Sequence, residues 1–274
     1  MSGGIVLKFH KQTVWITGAS SGVGEGLARV FHREGANIII SARREEELER
    51  VKASCTEGPG EVHVVPFDLV DEIQREQAAR LVLKQHERLD VLINNAGIGQ
   101  RSLIKDTDLK VDRLVMELDY FAPVALTKLV LPRMQTQQSG HIVVTSSVAG
   151  KHGMPYHSAY CAAKHALHGY FESLRIEMLD FDIKVCLLVI AGIRSNVAVH
   201  ALTGDGSEYG KDDWGSDVGM SAEECGDQVV AAMLANEYEP VISIEAATQA
   251  MRIKEKDPVA FTERMAGMMK WMAG

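Results

Sequence analysis

The sequence predicts an α/β protein, one doubly wound domain built on a seven-stranded parallel sheet. Three observations carry that expectation. Apolar runs rich in β-branched residues alternate with helix-like segments; the runs are nearly continuous rather than alternating, as strands covered on both faces are; and no linker or internal repeat divides the 274 residues. The runs are Thr13–Thr17, Asn37–Ser41, Val62–Phe67, Val91–Asn94, Ile142–Ser146, Lys184–Ile190 and Val241–Ile244. Between them, Asp106, Thr107 and Asp108 can cap a long helix leading to Gln135, and Ser221 with Glu224 forms a capping box. The acidic, glycine-bearing stretch 196–220 reads as a mobile lid, and 246–274 as a C-terminal extension.

Composition narrows the function classes. With 46% apolar and 24% charged residues the chain is an ordinary globular protein, and its net charge of -8 disfavours nucleic acid or an anionic membrane as partner. Cys55, Cys161, Cys186 and Cys225 are scattered, which argues against a disulfide framework or zinc site and for reduced thiols in the cytoplasm. The stretch Met1–His10 carries only a short apolar run broken by Lys8, and no integral membrane segment is expected.

The first strand runs into Thr17-Gly18-Ala19-Ser20-Ser21-Gly22-Val23-Gly24, followed by the helix-periodic Leu27, Val30 and Phe31. Glycines belong where backbone turns sharply and approaches a pyrophosphate, whose charge is met by amide hydrogens at a helix N-terminus. The sequence therefore predicts a Rossmann fold that binds a dinucleotide. After the second strand stands Ser41-Ala42-Arg43-Arg44, where an NAD-selective site would place an acid for the ribose 2′-hydroxyl. Two guanidiniums there can hold a 2′-phosphate through bidentate, charge-assisted bonds, so NADP(H) is the expected cofactor. The plainer alternative has both arginines opening a solvated helix with Glu45, Glu46 and Glu47.

Tyr160 and Lys164 are four apart, on one helical face. A phenol titrating near ~10 is a poor base at neutral pH; bringing it to about 7 takes about 4 kcal/mol of differential stabilisation, which the ammonium and an oxidised nicotinamide would supply. Ser147 precedes Tyr160 by thirteen residues and follows the strand Ile142–Ser146; alternation turns Ser146 to the opposite side. His165 and His168 sit beside this helix, but with no acid or cysteine completing a ligand set they read as surface or interface residues, and no metal is expected. Cys161 reads as a small buried apolar residue.

The ordered series of glycine turn, Asn94-Asn95-Ala96-Gly97, Ser147 and Tyr160-Cys161-Ala162-Ala163-Lys164 resembles the short-chain dehydrogenase/reductase family over about residues 12–244. The resemblance implies that Ser147, Tyr160 and Lys164 are catalytic. Tyr160 would exchange a proton with the substrate oxygen, Ser147 would hydrogen-bond that oxygen, and both would bind substrate. It implies cofactor contacts from Gly18, Ser20, Ser21, Gly22, Val23, Gly24, Arg43, Arg44, Asp68, Leu69, Asn95, Ala96, Gly97, Tyr160, Lys164, Gly192, Ile193 and Ser195. Asp68-Leu69 matches the adenine contact, and Lys164 would also hold the nicotinamide ribose. Ala191-Gly192 replaces the family's Pro-Gly, a departure expected to loosen the turn while Ser195 keeps a hydroxyl. Asp119 stands where the family carries an asparagine that helps hold a water linked to the lysine; an ionised Asp119 beside Lys164 would oppose the tyrosinate.

The stretches Tyr120–Lys128, Ser158–Ala166 and Asp205–Gly210 look like the branch containing dehydrogenase/reductase member 7 and 11β-hydroxysteroid dehydrogenase. That likeness implies NADP(H) and a neutral, lipophilic carbonyl or alcohol. The lid acids Asp205, Glu208, Asp212, Asp213 and Asp217, set against Lys211, would repel anions, with Tyr209, Trp214 and Met220 as its apolar groups. The competing class is an NADPH-binding sensor or scaffold with weak turnover caused by Asp119. The long segments 108–135 and 158–181 match the family's interface helices, so a homodimer or homotetramer is expected. The stripe Phe261, Met265, Met268, Met269 and Met272 is read as core packing, with an interface, a pocket cover or lipid as alternatives.

Overall fold

A computed structural model describes residues 7–195, 197–211 and 219–273. All seven strands pair in parallel in the order β3-β2-β1-β4-β5-β6-β7. They are β1 (Thr13–Thr17), β2 (Asn37–Ser41), β3 (Val62–Val64), β4 (Val91–Asn94), β5 (Gly140–Ser147), β6 (Ile183–Ala191) and β7 (Val241–Ser243). Strand order reverses between β1 and β4, so loops after these strands diverge and leave a crevice at the carboxyl edge.

Both faces are buried because side chains alternate. Val14 and Ile16 join a layer with α1 (Gly22–Arg33) and α7 (Ala222–Leu234), while Trp15 between them joins the opposite layer with α3 (Glu72–Gln85), α5 (Ala122–Gln137) and α6 (Ser158–Glu177). Helix α1 crosses α7 at backbone distance: a Cβ on Gly26 would stand 2.3 Å from the Ala222 carbonyl oxygen. Helix α7 begins with the capping box expected from Ser221 and Glu224.

Strands β5, β6 and β7 differ from the sequence expectation by one or two residues at their ends, and three larger differences have a local reason. Strand β3 stops at Val64, short of Phe67, because Pro66 has no N–H to give; Val65 and Phe67 still donate to Ile40 and Ala42 at 3.0 and 3.1 Å. The segment 108–135 divides into α4 (Leu109–Met116), a π turn over Glu117–Phe121, and α5. Ala122 N–H reaches back to Glu117, and Pro123 cannot donate to Asp119 as a continuous helix requires. Asp108 occupies the N-cap position but pairs with Lys110 at 3.0 Å rather than capping.

In the described residues the lid is a folded hairpin. Leu202 bridges both Gln100 and Glu208, its N–H donating to Gly99 at 2.9 Å, and it packs with Val111, Val115, Ala159 and Ala163 beside Tyr160. Asp212, Asp213, Trp214 and Asp217 lie outside the described residues. Met220 leaves the lid: it exchanges backbone bonds with Gly192 and Arg194 at 2.9 Å and packs on the α1 layer. Those bonds pin the Ala191-Gly192 turn, with Gly192 at φ 69°, so the missing proline does not loosen it.

The C-terminal extension is two helices, α8 (Glu245–Lys256) and α9 (Pro258–Ala273). Core packing holds for Phe261, whose ring lies 5.0 Å from that of His152, but Met265 and Met268 are half-buried and Met269 is exposed. The side chain of Met272 lies outside the described residues. No helix of the described residues is long and apolar enough to cross a membrane.

Candidate active site

The glycine turn opens the crevice. Gly18 adopts φ 66°, and a Cβ there would stand 2.7 Å from the Ala96 Cα; a Cβ on Gly24 would meet the Gly18 carbonyl oxygen at 2.2 Å. Asn95 ties the turn together, its side-chain amide donating to the Thr17 and Gly18 carbonyls at 3.1 and 3.3 Å. Thr17, named in the sequence only as the start of the glycine turn, accepts the N–H groups of Asn95 and Ala96 through its hydroxyl at 3.1 and 3.2 Å. Ser21 stands at the N-cap of α1 without capping it through its side chain, which leaves first-turn amides for an anion.

A cavity of about 560 Å³ lies in front of this turn. Ser21, Gly22, Arg29, Arg44, Arg50, Arg194 and Ser195 are among its lining residues. Arg43 and Arg44 are both exposed; Arg44 lines the cavity and donates to the Ser20 hydroxyl at 3.3 Å, whereas Arg43 is not part of the lining. Arg50, missed by sequence reasoning, donates to the Ser20 carbonyl at 3.2 Å and to Glu25 at 2.7 and 2.9 Å. Its three-residue spacing from Glu47 on α2 (Glu45–Ser54) was the available signal. The Arg50 hydrogen bond, with help from Arg29, holds the Glu25 carboxyl below its ordinary range, so the acid nearest the anion position is already compensated. Ser195 reaches the turn: its Cβ would be 3.3 Å from one added to Gly22. Asp68 accepts from Val70 N–H at 3.0 Å, and buried Leu69 gives its carbonyl to Arg75 at 2.8 Å, so both are fixed at the end of the β3 segment. Ile193 pairs with Met220.

These groups suit a nicotinamide dinucleotide. The glycine cradle leaves no room for side chains, the first-turn amides can meet an anion, and Arg44 and Arg194 line the cavity, whereas Arg29 and Arg50 are paired with its glutamates Glu25, Glu47 and Glu223.

The second half of the site stands on α6 and the end of β5. Lys164 is 3% exposed and donates to the Thr145 carbonyl at 3.0 Å; its ammonium is 5.4 Å from the Tyr160 ring centre. The carboxylate of Asp119, delivered by the π turn, lies 3.2 Å from that ammonium and accepts Ile98 N–H at 2.8 Å. Asp119 is 1% exposed, so it is no solvent-facing residue. Gly97 makes room for it, since a Cβ there would meet Asp119 Oδ2 at 2.9 Å. Ser147 Oγ accepts Ala149 N–H at 3.1 Å and hydrogen-bonds the Tyr160 phenol. Ser146, as alternation requires, turns away and contacts His168 Nε2 at 2.8 Å. Gln100, fully buried, was missed; its carbonyl accepts Ala159 N–H at 3.2 Å and anchors the start of α6 next to Tyr160.

The protein's own groups, without a cofactor's charge, do not depress the phenol. Burial pushes the Tyr160 phenol up; Lys164 and the Ser147 hydrogen bond pull it down, and Asp119 pushes it further up, with a net rise. Burial likewise raises Asp119 against the pull of Lys164. For Lys164, burial opposes the charge but Asp119 and Tyr160 together outweigh it, and its pKa is raised. The protein's own groups thus keep Tyr160 a phenol, ready to donate a proton, and only an added positive charge would ease its ionisation.

A second cavity, about 540 Å³, lies between the β4 loop and the lid. Leu103, Tyr156 and Tyr209 line it beside Arg101, Asp106 and Asp205, the Arg101 guanidinium lying 4.9 and 5.5 Å from the two tyrosine rings. The lid acids are engaged within the hairpin: Asp205 accepts from Thr203 and Ser207 at 2.6 to 2.9 Å, and Glu208 meets His200 at 2.6 Å. His168 is buried, and Glu172 and Glu239 do converge on it, unlike the acid-free surroundings expected of it; His165 is exposed. Cys161 is buried, as expected.

A doubly wound sheet with this cradle and a Ser-Tyr-Lys cluster defines a nicotinamide-dependent oxidoreductase. The short chain dehydrogenase family profile matches residues 12–204, and the chain belongs to that family. Dehydrogenase/reductase SDR family member 7B of Rattus norvegicus is 41% identical over 259 residues, covering 92% of this chain and 80% of the relative. A short-chain dehydrogenase from Streptomyces avermitilis superposes with a TM-score of 0.79 at 26% identity, covering 95% of this chain and 96% of its own. A metagenomic short-chain oxidoreductase solved with NADP gives 0.71 at 27% identity, over 86% and 97%.

Proposed function

We propose that the protein transfers hydride between NADP(H) and a neutral, lipophilic carbonyl or alcohol. The observation that carries the proposal is the buried chain Asp119–Lys164–Tyr160–Ser147 at the carboxyl edge of β5. The nicotinamide, when bound, supplies or accepts the hydride. Tyr160 donates its phenolic proton to the substrate oxygen in reduction and takes it back in oxidation, and Ser147 holds that oxygen. Lys164, anchored by Thr145 and Asp119, sets the potential at the phenol and would also hold the nicotinamide ribose.

Arg44 and Arg194 around one cavity favour the 2′-phosphate of NADP(H) over a bare ribose. Leu103, Tyr156 and Tyr209 offer apolar surface in a cavity otherwise lined mostly by polar and charged groups, so the apolar substrate rests on the resemblance rather than on this cavity. Exposed Leu109, Leu114, Phe121, Ile176 and Leu179 on the α4–α6 side support a homodimer or homotetramer. Cys186 and Cys225, buried and unpaired with thiols pushed up to about 12, suit the reducing cytoplasm. The test is a panel of ketones, aldehydes and alcohols followed by NADPH absorbance. Turnover of apolar carbonyls is expected. Tight NADPH binding with no turnover anywhere would replace this reading with a cofactor sensor, the role that the upward push of Asp119 on Tyr160 favours.

A further inference from the structure

Behind Ser147 a second chain of polar groups runs away from the phenol. Ser146 is 1% exposed, and its Oγ lies 2.8 Å from His168 Nε2. His168 follows Lys164 by one turn of α6 and is itself 7% exposed. Its Nδ1 lies 3.4 Å from Glu239 Oε2 and 3.8 Å from Glu172 Oε1, without an aligned hydrogen bond. Lys151, from the turn after Ser147, ion-pairs with the other oxygen of Glu239. Gly150 closes the arrangement, since a Cβ there would stand 2.6 Å from Ser146 Oγ and 2.9 Å from His168 Nε2.

Two carboxylates facing Nδ1 favour a proton on that nitrogen, which leaves Nε2 to accept from the Ser146 hydroxyl. One histidine and two glutamates also converge as metal ligands do, but Lys151 already provides the cation that Glu239 requires. Ser146 and Ser147 project to opposite sides of the strand end, so a grip on the first fixes the rotation that aims the second. Ser147 Oγ is held a second time by Ala149 N–H, from the turn that Gly150 closes against His168.

We propose that His168 is a positioning residue for Ser147, acting through Ser146 and the turn Val148–Gly150, with Glu239 and Lys151 fixing its tautomer. The inference rests on the Ser147-Tyr160-Lys164 reading of the site. Burial holds the ring below the ordinary histidine range and Lys151 pushes the same way, while Glu239 and Glu172 oppose. The ring is therefore neutral at neutral pH. In acid the second proton goes onto Nε2, the hydrogen bond reverses so that Nε2–H donates to Ser146 Oγ, and the Ser146 hydroxyl proton must turn elsewhere, which alters the grip.

The experiment compares the parent with His168→Leu, His168→Gln and Ser146→Ala, using one carbonyl substrate and NADPH, because reduction needs the Tyr160 phenol and so has no acid limb from Tyr160 itself. Kinetics are read from pH 5 to 9, with circular dichroism to establish folding. In His168→Leu and Ser146→Ala, kcat is expected to fall tenfold or more while the cofactor Kd stays within twofold. The amide oxygen of His168→Gln can still accept from Ser146, so this variant should recover most of the rate and lack the acid limb of the parent profile. Parental kcat in folded His168→Leu or Ser146→Ala overturns the proposal, as do equal losses in the Leu and Gln variants. Crystal structures of parent and Ser146→Ala answer without turnover, because a Ser147 Oγ that keeps its place against Ala149 also overturns it. Failure of the underlying site reading shows separately, as undiminished turnover in Tyr160→Phe.

Discussion

The carboxylate of Asp119 lies 3.2 Å from the ammonium of Lys164, both side chains being almost wholly enclosed. An ion pair this deep adds little as a pair, but losing one partner strands the other in a medium that solvates it poorly. Asp119→Ala should therefore destabilise the fold by about 3–5 kcal/mol. Asp119→Asn keeps a carbonyl for Ile98 N–H and should cost clearly less. Urea unfolding of the two variants checks this; both lack the charge, so equal midpoints would show that the contact with Ile98 contributes nothing beyond it.

Tyr160→Phe removes the transferable proton and one oxygen while leaving the ring against Lys164 and the Val111–Leu202 cluster. The rate should fall roughly 10²–10⁴-fold, the worth of positioned general acid–base catalysis. NADPH affinity, read by fluorescence titration, should change little. A variant that keeps most of its rate would assign proton transfer to another group.

Replacing Arg43 and Arg44 by alanine should weaken NADPH far more than NADH. Hydrogen bonds to charged groups contribute about 1.5–3 kcal/mol, so a loss of roughly 10- to 100-fold in NADPH affinity is expected. Because Arg44 lines the cavity and Arg43 does not, Arg44→Ala alone should account for most of it. Equal affinities for the two cofactors in the parent would remove the basis for the preference.

What the sequence made legible was whatever local spacing encodes. Strand positions followed from apolar runs, the α7 cap from Ser221 and Glu224, and the shared face of Tyr160 and Lys164 from their separation of four. The site's supports were not legible, because they come from distant segments. Thr17 to Asn95, Gln100 to Ala159 and Arg50 to Ser20 join positions 78, 59 and 30 residues apart. Glu239 beside His168 is the sharpest case, since an acid search confined to α6 and its neighbours in sequence cannot find a residue that arrives before β7. The opposing contribution of burial at Tyr160 was not legible for a related reason. Residue types announce the helpful charge of Lys164, but only the packed structure shows how strongly burial opposes it.

Asp119 also sets a direction for the pH dependence of the reaction. Burial raises the Tyr160 phenol most, Lys164 pulls it down, and Asp119 pushes it up again. Alcohol oxidation needs the phenolate, so its rate rises with pH along a limb governed by this raised pKa; carbonyl reduction needs the phenol, which is abundant at neutral pH. Asp119→Asn removes one upward push on Tyr160, and the oxidative limb should move to lower pH. Lys164 loses its raising partner in the same variant, so its own pKa falls too; the prediction holds while the ammonium stays protonated across the limb. Oxidation near pH 7 should then speed up, with reduction nearly unchanged. Paired pH–rate profiles of parent and variant with a single alcohol decide the matter. A limb displaced upward would reverse the assigned role of Asp119, and superimposable profiles would mean that its carboxyl is already neutral when Tyr160 ionises.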